Sequence, residues 1–135
     1  MYRNRKESNY VKSVLIVDDQ PGIRLLLEEL FRRENYSVRL AKNGVEAYKK
    51  IEEEQPDCVL LDMKMAGIDG TDVLIKIKKD WPAVPVIMMT AYGELEKIEE
   101  VLALGAEKYF TKPFDIYEVR DSVNAVIKGK RTGQW

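Results

Sequence analysis

The sequence predicts an α/β fold in which a five-stranded parallel sheet is flanked by five helices. Five short runs of β-branched or aliphatic residues alternate along the chain with five longer amphipathic segments. Continuous apolar runs such as VLIV, VLL and VIMM are typical of parallel strands that are buried on both faces. Regular alternation of strand and helix, joined by right-handed crossovers, gives an open sheet of this class.

Each element follows from its own stretch of sequence. The expected strands are SVLIVD, SVRLA, CVLLD, VPVIMMT and KYFT, which span Ser13–Asp18, Ser37–Ala41, Cys58–Asp62, Val84–Thr90 and Lys108–Thr111. The helix-length segments are 21–34, 43–54, 70–80, 94–104 and 115–128. Turn signals at Asn43-Gly44, Asp69-Gly70 and Leu104-Gly105 lie at the ends of these elements. We therefore expect one domain, 13–128, between a flexible tail of residues 1–12 and a tail of residues 129–135, with no output domain.

Composition excludes a dedicated nucleic-acid binder. The chain has 135 residues, of which 45% are hydrophobic and 33% charged, as in an ordinary globular domain. Its 22 Lys and Arg residues are balanced by 23 Asp and Glu residues, and an excess of basic residues occurs at the two ends, in 1–12 and 128–135. A nucleic-acid binder would instead carry one basic patch or stripe. The basic ends are interpreted as solvated tails.

The absence or scarcity of certain residue types excludes several other kinds of site. The chain has one cysteine, Cys58, and no histidine, so it lacks the residues for a zinc site or for a Ser-His-Asp or Cys-His nucleophile. Its apolar runs are shorter than the roughly 18–20 residues that cross a bilayer. No apolar segment follows the charged N-terminus, as one would in a secretory signal. We expect a cytoplasmic monomer without membrane attachment.

Polar side chains stand at the ends of four predicted strands. Asp18 and Asp19 end the first, Asp62 the third and Thr90 the fourth, while Lys112 follows the fifth. Because the carboxyl ends of parallel strands meet at one edge, we expect these groups in one pocket. Three carboxylates repel one another unless a cation neutralises them, and oxygen ligands suit Mg²⁺ (or Mn²⁺). Taken alone, the first two acids could equally cap the next helix.

Such a pocket suits the transfer of a phosphoryl group to a carboxylate. Asp62 could act as the nucleophile in covalent catalysis. A metal ion and Lys112 would stabilise the charge on the transferring group. Lys112 precedes Pro113, which restricts its backbone. Thr90, followed by the small Ala91, could offer its hydroxyl to the same group.

The segments VLIVDDQPGIRLLL, VLLDMKMAGIDG, VIMMTAYGE and LGAEKYFTKPFD, in this order and spacing, resemble the receiver domains of two-component response regulators. The resemblance runs from about Ser13 to Lys128 and implies a sheet of strand order 2-1-3-4-5, the flavodoxin-like receiver fold. It implies that Asp62 is the phosphoacceptor. The metal ligands it implies are Asp18, Asp19, Asp62 and the backbone carbonyl of Lys64.

The resemblance also implies roles around the phosphoryl group. Thr90, Ala91 and Lys112 would bind it, with a cis peptide bond between Lys112 and Pro113. Thr90 and Tyr109 would form the conformational switch, although a strand aromatic such as Tyr109 can also be merely half-buried. One departure from the family pattern is Ala66, where relatives usually have proline. The missing proline puts the rigidity of that loop in doubt.

The first helix carries a candidate partner surface. Successive residues of a helix are about 100° apart around its axis. This spacing predicts one broad apolar arc on the first helix and a single leucine on its polar side. The arc comprises Ile23, Leu26, Leu27, Leu30 and Phe31, and the outlying residue is Leu25. The sequence leaves open whether the arc is all core or partly a docking face for a histidine-bearing helix bundle. Similarity to the single-domain relay receivers of spore-forming bacteria implies a docking face of Gln20, Gly22, Ile23, Leu26, Tyr92, Pro113 and Phe114.

We therefore expect a single-domain response regulator of the sporulation phosphorelay type. It would accept a phosphoryl group from a sensor histidine kinase on Asp62 and pass it to a histidine phosphotransferase. An aspartyl-phosphate phosphatase is a further possible partner. Lys64 and Tyr92 flank the pocket and could slow hydrolysis by impeding an attacking water.

Three other functions compete with this expectation. The nearest is a chemotaxis-type receiver that acts only by phosphorylation-dependent binding to a protein target. A phosphatase of the haloacid-dehalogenase type would need a D-x-D motif where this chain has Asp62-Met63-Lys64. A nucleotide-binding module would need a glycine-rich turn where the chain reads DDQPG.

Overall fold

Five parallel strands form the sheet, in the order β2-β1-β3-β4-β5. The computed structural model describes residues 10–91 and 95–131. The strands are β1 (Ser13–Val17), β2 (Ser37–Ala41), β3 (Cys58–Asp62), β4 (Val86–Thr90) and β5 (Lys108–Thr111). The helices are α1 (Pro21–Arg33), α2 (Gly44–Glu53), α3 (Gly70–Asp80), α4 (Ile98–Ala103) and α5 (Ile116–Arg131). The predicted fold class and strand order are confirmed.

Both faces of the sheet are covered, which explains the continuous apolar runs. Successive side chains of a strand point to opposite faces. Leu15 and Val17 of β1 pack in a cluster with residues of α2, α3 and α4, whereas Val14 and Ile16 pack with residues of α1 and α5. The central strands are therefore apolar on both faces along most of their length, and polar residues appear at the strand ends.

Local signals set the helix starts. Pro21 stands at the start of α1, where its missing N–H costs no hydrogen bond. The side chain of Asn43 caps α2 by accepting from the N–H of Glu46 at 2.8 Å. Asp69 caps α3 by accepting from the N–H of Thr71 at 2.9 Å. Within the part of the chain that the structure describes, no helix combines the length and apolar character needed to cross a bilayer.

Several predicted boundaries differ from the observed ones. Strand β4 begins at Val86 and not at Val84, because the N–H of Val84 donates to the carbonyl of Trp81 in a turn and Pro85 has no N–H to give. Helix α4 is regular only over Ile98–Ala103, after a 3₁₀ turn over Leu95–Lys97. Gly105, with φ of 110°, follows its end.

The structure describes only part of the two predicted tails. Residues 1–9 and 132–135 lie outside the described residues. The hydroxyl of Tyr10 donates to the carboxylate of Asp57 at 2.7 Å, so the chain already contacts the body of the domain before β1. At the other end, α5 continues to Arg131.

A short antiparallel ribbon between β3 and α3 was not predicted. It pairs Lys64–Met65 with Ile68–Asp69. Two residues, Ala66 and Gly67, form its loop, and Gly67 has a positive φ of 73°. The strands are too short for a period-two pattern to be visible in the sequence.

Gly70 opens α3 directly against the end of β3. A Cβ at this position would lie 2.4 Å from the carbonyl oxygen of Asp62 and 2.7 Å from the Cα of Met63. The N–H of Gly70 donates to the carbonyl of Met63 at 2.7 Å. No side chain fits, so glycine is what allows α3 to approach the strand that ends in Asp62.

We expect Gly70→Ala to lower the free energy of unfolding by about 2–4 kcal/mol, because the backbone of β3 or α3 must shift to admit the methyl group. Urea denaturation measures the difference. Gly22→Ala is the matched control, since a Cβ at Gly22 meets nothing within 4 Å. It should leave stability unchanged or raise it by about 0.5–1 kcal/mol. Equal effects of the two substitutions would contradict the packing argument.

Candidate functional site

Three carboxylates converge where β1 and β3 end. Asp18, Asp19 and Asp62 each place one oxygen within 4.8 Å of the others. Strands β1 and β3 are neighbours, with Val17 opposite Leu61, so the residues that follow these two positions lie side by side. Asp18 and Asp62 are buried, and Asp19 is partly exposed. The structure thus brings together the acids that strand topology had placed at one edge.

Lys112 is the cation of this cluster. Its Nζ lies 2.8 Å from Oδ2 of Asp18, 3.4 Å from Oδ1 of Asp62 and 3.1 Å from Oε1 of Gln20. Its side chain is only 18% exposed. The peptide bond to Pro113 is cis, as the resemblance implied. The N–H of Lys112 donates to the carbonyl of Thr90 at 2.7 Å, which ties β5 to the end of β4.

The pKa of Asp62 is raised from 3.8 to about 6. Burial of the carboxylate is the largest cause, and the negative charge of Asp18 adds to it. Lys112 and the main-chain N–H of Lys64 act in the opposite direction but do not cancel the shift. Asp62 therefore holds a proton more firmly than an ordinary carboxyl group, and a second cation beside it would favour the ionised form.

The donor set fits a hard divalent cation. The side chains that converge are carboxylates, and oxygen donors that leave room for water suit Mg²⁺ or Mn²⁺. Two of the three acids are buried, where excess negative charge is most costly without a counter-ion. Asp18, Asp19 and Asp62 would hold such an ion. Lys64, whose backbone carbonyl was expected to complete the ligands, follows Asp62 by two residues in the ribbon, with its side chain exposed.

Thr90 ends β4 beside this cluster. Asp62 is in register with Met89, so Thr90 lies one position further along the adjacent strand. Thr90 is fully buried, and its hydroxyl donates to the carbonyl of Phe110 at 3.3 Å. The neighbouring Ala91 is exposed. Any anion that recruits the Thr90 hydroxyl must therefore draw it away from β5.

Tyr109 lies on β5 with 40% of its surface exposed. Its neighbour Phe110 is partly buried and packs on the cluster beneath α1 and α5. The tyrosine is thus in an outward position on this strand, and the switch role implied by the resemblance would require it to turn inward.

The first helix divides its apolar arc between core and surface. Leu27, Leu30 and Phe31 are buried. Leu26 is 42% exposed and lines a groove with Ile116 and Tyr117 of α5. The arc is therefore not entirely core, which answers the question that the sequence left open. Leu25, expected on the polar side, is 64% exposed.

The other expected docking residues surround the cluster. Gln20, Gly22 and Pro113 are exposed, whereas Ile23 and Phe114 are partly buried. Tyr92 lies outside the described residues, so its expected place on this face and beside the pocket stays a prediction.

Two contacts that sequence reasoning missed hold the acids in place. Nη1 of Arg24 donates to the carbonyl of Asp18 at 2.7 Å, and the main-chain N–H of Ala66 donates to Oδ2 of Asp19 at 2.8 Å. A basic residue near the start of the helix after two acids is a weak signal for the first contact. The second uses a backbone group, which carries no sequence signal.

Comparisons with known proteins agree on one family. A model of the response regulator receiver domain matches residues 14–124. The sporulation initiation phosphotransferase F of Bacillus subtilis (strain 168) is 51% identical over 116 residues, which are 86% of this chain and 94% of that protein. The alkaline phosphatase synthesis transcriptional regulatory protein PhoP of the same strain is 38% identical over 119 residues, which are 87% of this chain and 49% of that protein.

Solved structures show the same similarity. A CheY-like response regulator receiver domain protein from Methanospirillum hungatei JF-1 superposes with a TM-score of 0.87 at 30% identity, covering 92% of this chain and 99% of the other. The receiver domain of NtrX from Brucella abortus superposes with a TM-score of 0.82 at 29% identity, covering 85% and 98% of the two chains.

Proposed function

Because this chain belongs to the response regulator receiver domain family, we propose that it is a phosphoryl-relay intermediate. It accepts a phosphoryl group from a sensor histidine kinase on Asp62 and passes it to a histidine phosphotransferase. Similarity to the sporulation initiation phosphotransferase F over nearly all of both chains supports the relay role. The observation that carries the chemistry is the cluster of Asp18, Asp19 and Asp62, in which the ammonium group of Lys112 contacts Asp18 and Asp62.

The proposed reaction exchanges one phosphorus bond for another. An oxygen of Asp62 attacks the phosphorus of a phosphohistidine, the new O–P bond forms as the N–P bond breaks, and the released imidazole keeps the electron pair of that bond. Asp18, Asp19 and Asp62, with the backbone carbonyl of Lys64, would hold Mg²⁺ (or Mn²⁺). That ion, when bound, offsets negative charge on the phosphoryl oxygens. Transfer onward to a second histidine is the same reaction in reverse.

Side chains of the cluster then hold the aspartyl phosphate. Lys112, which lies between two carboxylates, would pair with a phosphoryl oxygen once Asp62 forms the acyl phosphate and its carboxylate charge is lost. The hydroxyl of Thr90 would leave the carbonyl of Phe110 for the phosphoryl group, with the N–H of Ala91 beside it. Movement of Thr90 would let Tyr109 turn inward, a local change that alters the surface formed by α4, β5 and α5.

Partner docking is proposed on the surface next to the cluster. Ile23 and Leu26 of α1 and Pro113 and Phe114 after β5 supply apolar contacts, with Gln20, Gly22 and Tyr92 also assigned to this face. A helix bundle that presents a histidine could bury this surface and bring its imidazole to Asp62. An aspartyl-phosphate phosphatase that binds the same surface would remove the phosphoryl group from Asp62 and return the protein to its unphosphorylated state. No step of the proposed reaction needs a second copy of the chain, so we propose that it works as a monomer.

The docking proposal is tested by two adjacent leucines of α1. Leu26→Ala should slow phosphoryl transfer from a kinase, and to a histidine phosphotransferase, by about tenfold, because it removes an exposed apolar contact from the proposed face. Uptake from a small phosphodonor such as phosphoramidate should not change, since that donor needs no docking surface. Leu25→Ala is the control, because Leu25 is also exposed but lines a different groove, among side chains of α1 alone. Equal effects of both variants on transfer would contradict the proposed face.

A further inference from the structure

The loop that carries Ala66 reaches across to the acid cluster. Ala66 and Gly67 connect the paired segments Lys64–Met65 and Ile68–Asp69, and the bond from the N–H of Ala66 to Asp19 spans 47 positions of sequence. At 2.8 Å it is a short bond from a main-chain donor to a carboxylate. It joins the connection after β1, which supplies Asp18 and Asp19, to the connection after β3, the strand that ends in Asp62.

Asp19 differs from the other two acids in its surroundings. Asp18 is fully buried, and its carboxylate accepts from Lys112 and from the N–H of Gln20 at 2.9 Å. Asp62 is buried and also bonded to Lys112. Asp19 is partly exposed, so packing constrains its side chain less. Its orientation depends more strongly on the hydrogen bonds that it accepts.

We propose that the main-chain N–H of Ala66 is a positioning group for the metal site, because it fixes the carboxylate of Asp19 beside those of Asp18 and Asp62. This inference rests on the proposed function, in which Asp19 is a metal ligand. A carboxylate has two oxygens, so a bond to Oδ2 leaves the other oxygen available to a cation. Hydrogen bonds to metal-binding carboxylates commonly determine affinity by setting the orientation of the ligand.

Proline at this position would remove the donor and keep the backbone shape. A type II turn requires a positive φ at its second central residue and not at its first. Gly67 has φ of 73°, whereas the φ of Ala66 is not positive, so the loop fits this turn. Proline is common at the first central position of that turn, and Met65 before it is extended, as a residue preceding proline should be. Ala66 therefore supplies an N–H at a position whose backbone shape proline could also adopt.

The test is the affinity for Mg²⁺ of the metal-free protein, measured by isothermal titration calorimetry near neutral pH. Ala66→Pro should raise the Mg²⁺ dissociation constant by about tenfold. Ala66→Ser, which keeps the N–H, should stay within about twofold of the wild type, the spread expected for a surface substitution away from special features. The melting temperature of the metal-free proline variant should change little, because proline restricts the unfolded chain but also removes the hydrogen bond from the N–H of Ala66 to Asp19.

Each outcome bears on the inference separately from the proposed function. Wild-type affinity in the proline variant, or equal weakening in the serine variant, would overturn the inference while leaving Mg²⁺ binding by the wild type intact. A wild-type protein that binds no Mg²⁺ would overturn the proposed function, and the inference with it. If the proline variant melts early, replacing Ala66 by lactic acid removes the N–H as an ester and keeps the methyl group. The ester variant should then show the same tenfold loss, and wild-type affinity in it would overturn the inference.

Discussion

Asp62→Asn is expected to abolish phosphoryl uptake. After incubation with a small-molecule phosphodonor and Mg²⁺, the intact mass of the wild type should rise by one phosphoryl group, and that of the variant should not change. The amide lacks the anionic oxygen that attacks phosphorus, and it removes one of the three carboxylates that would bind the metal ion. Asp69→Asn is the matched control, because Asp69 is an exposed acid of the neighbouring ribbon and asparagine can still cap α3. A phosphorylated Asp62→Asn variant would place the acceptor elsewhere.

The same variant should be folded and more stable than the metal-free wild type at neutral pH. The pKa of Asp62 is about 6 in the folded protein, against 3.8 for an ordinary aspartate in an unfolded chain, so the folded state binds this proton more tightly. Protonation of Asp62 stabilises the folded state fully below pH 3.8, and this stabilisation is lost as the pH rises through about 6. At neutral pH the ionised group therefore lowers stability, by about 2 kcal/mol, and its removal should raise the melting temperature by about 5–10 °C. A lower melting temperature would contradict the assigned electrostatics.

Lys112→Ala is expected to slow phosphoryl uptake by about 10²–10³-fold, the usual effect of losing one group that stabilises developing charge. The ammonium of Lys112 lies within 3.4 Å of the carboxylate that would carry the phosphoryl group. Initial rates of mass increase at saturating Mg²⁺ measure the loss.

Two comparisons separate this role from a general loss of structure. Lys108→Ala removes an exposed lysine from the start of β5, the strand that Lys112 follows, and should leave the rate unchanged. Mg²⁺ binding by Lys112→Ala should be as tight as in the wild type or tighter, because Asp18 and Asp62 lose the cation that now neutralises them. Weaker Mg²⁺ binding together with slow uptake would indicate a distorted site instead.

The sequence predicted most of this site because it depends on topology. Once β1 and β3 are parallel and adjacent, the residues at their ends must meet, and Asp18 and Asp62 do so. The contact of Lys112 with both acids follows from the same rule, since β5 ends at the same edge. Strand ends are visible in the sequence as changes from apolar to polar residues. The fold and the residues that form the candidate site could therefore be predicted together.

Contacts made by the backbone could not be predicted in this way. The bond from Ala66 to Asp19 depends on a two-residue loop between very short strands, and any residue except proline has the same N–H. The exposure of Leu26 also has no local signal, because Leu26 and Leu30 lie on the same face of α1 by helical periodicity. Both leucines line one groove with Ile116 and Tyr117 at the start of α5, yet only Leu26 is exposed.

The relay itself is tested most directly by following one radiolabelled phosphoryl group through three proteins: a phosphorylated sensor kinase, this protein and a histidine phosphotransferase. We expect label to reach the phosphotransferase only when this protein is present, with Mg²⁺, and to stay on the kinase when Asp62→Asn replaces the wild type. The transfer should also run backwards from a labelled phosphotransferase. Label that accumulates on Asp62 but never moves to any histidine phosphotransferase, despite binding to it, would contradict the relay and indicate a receiver that acts by binding alone.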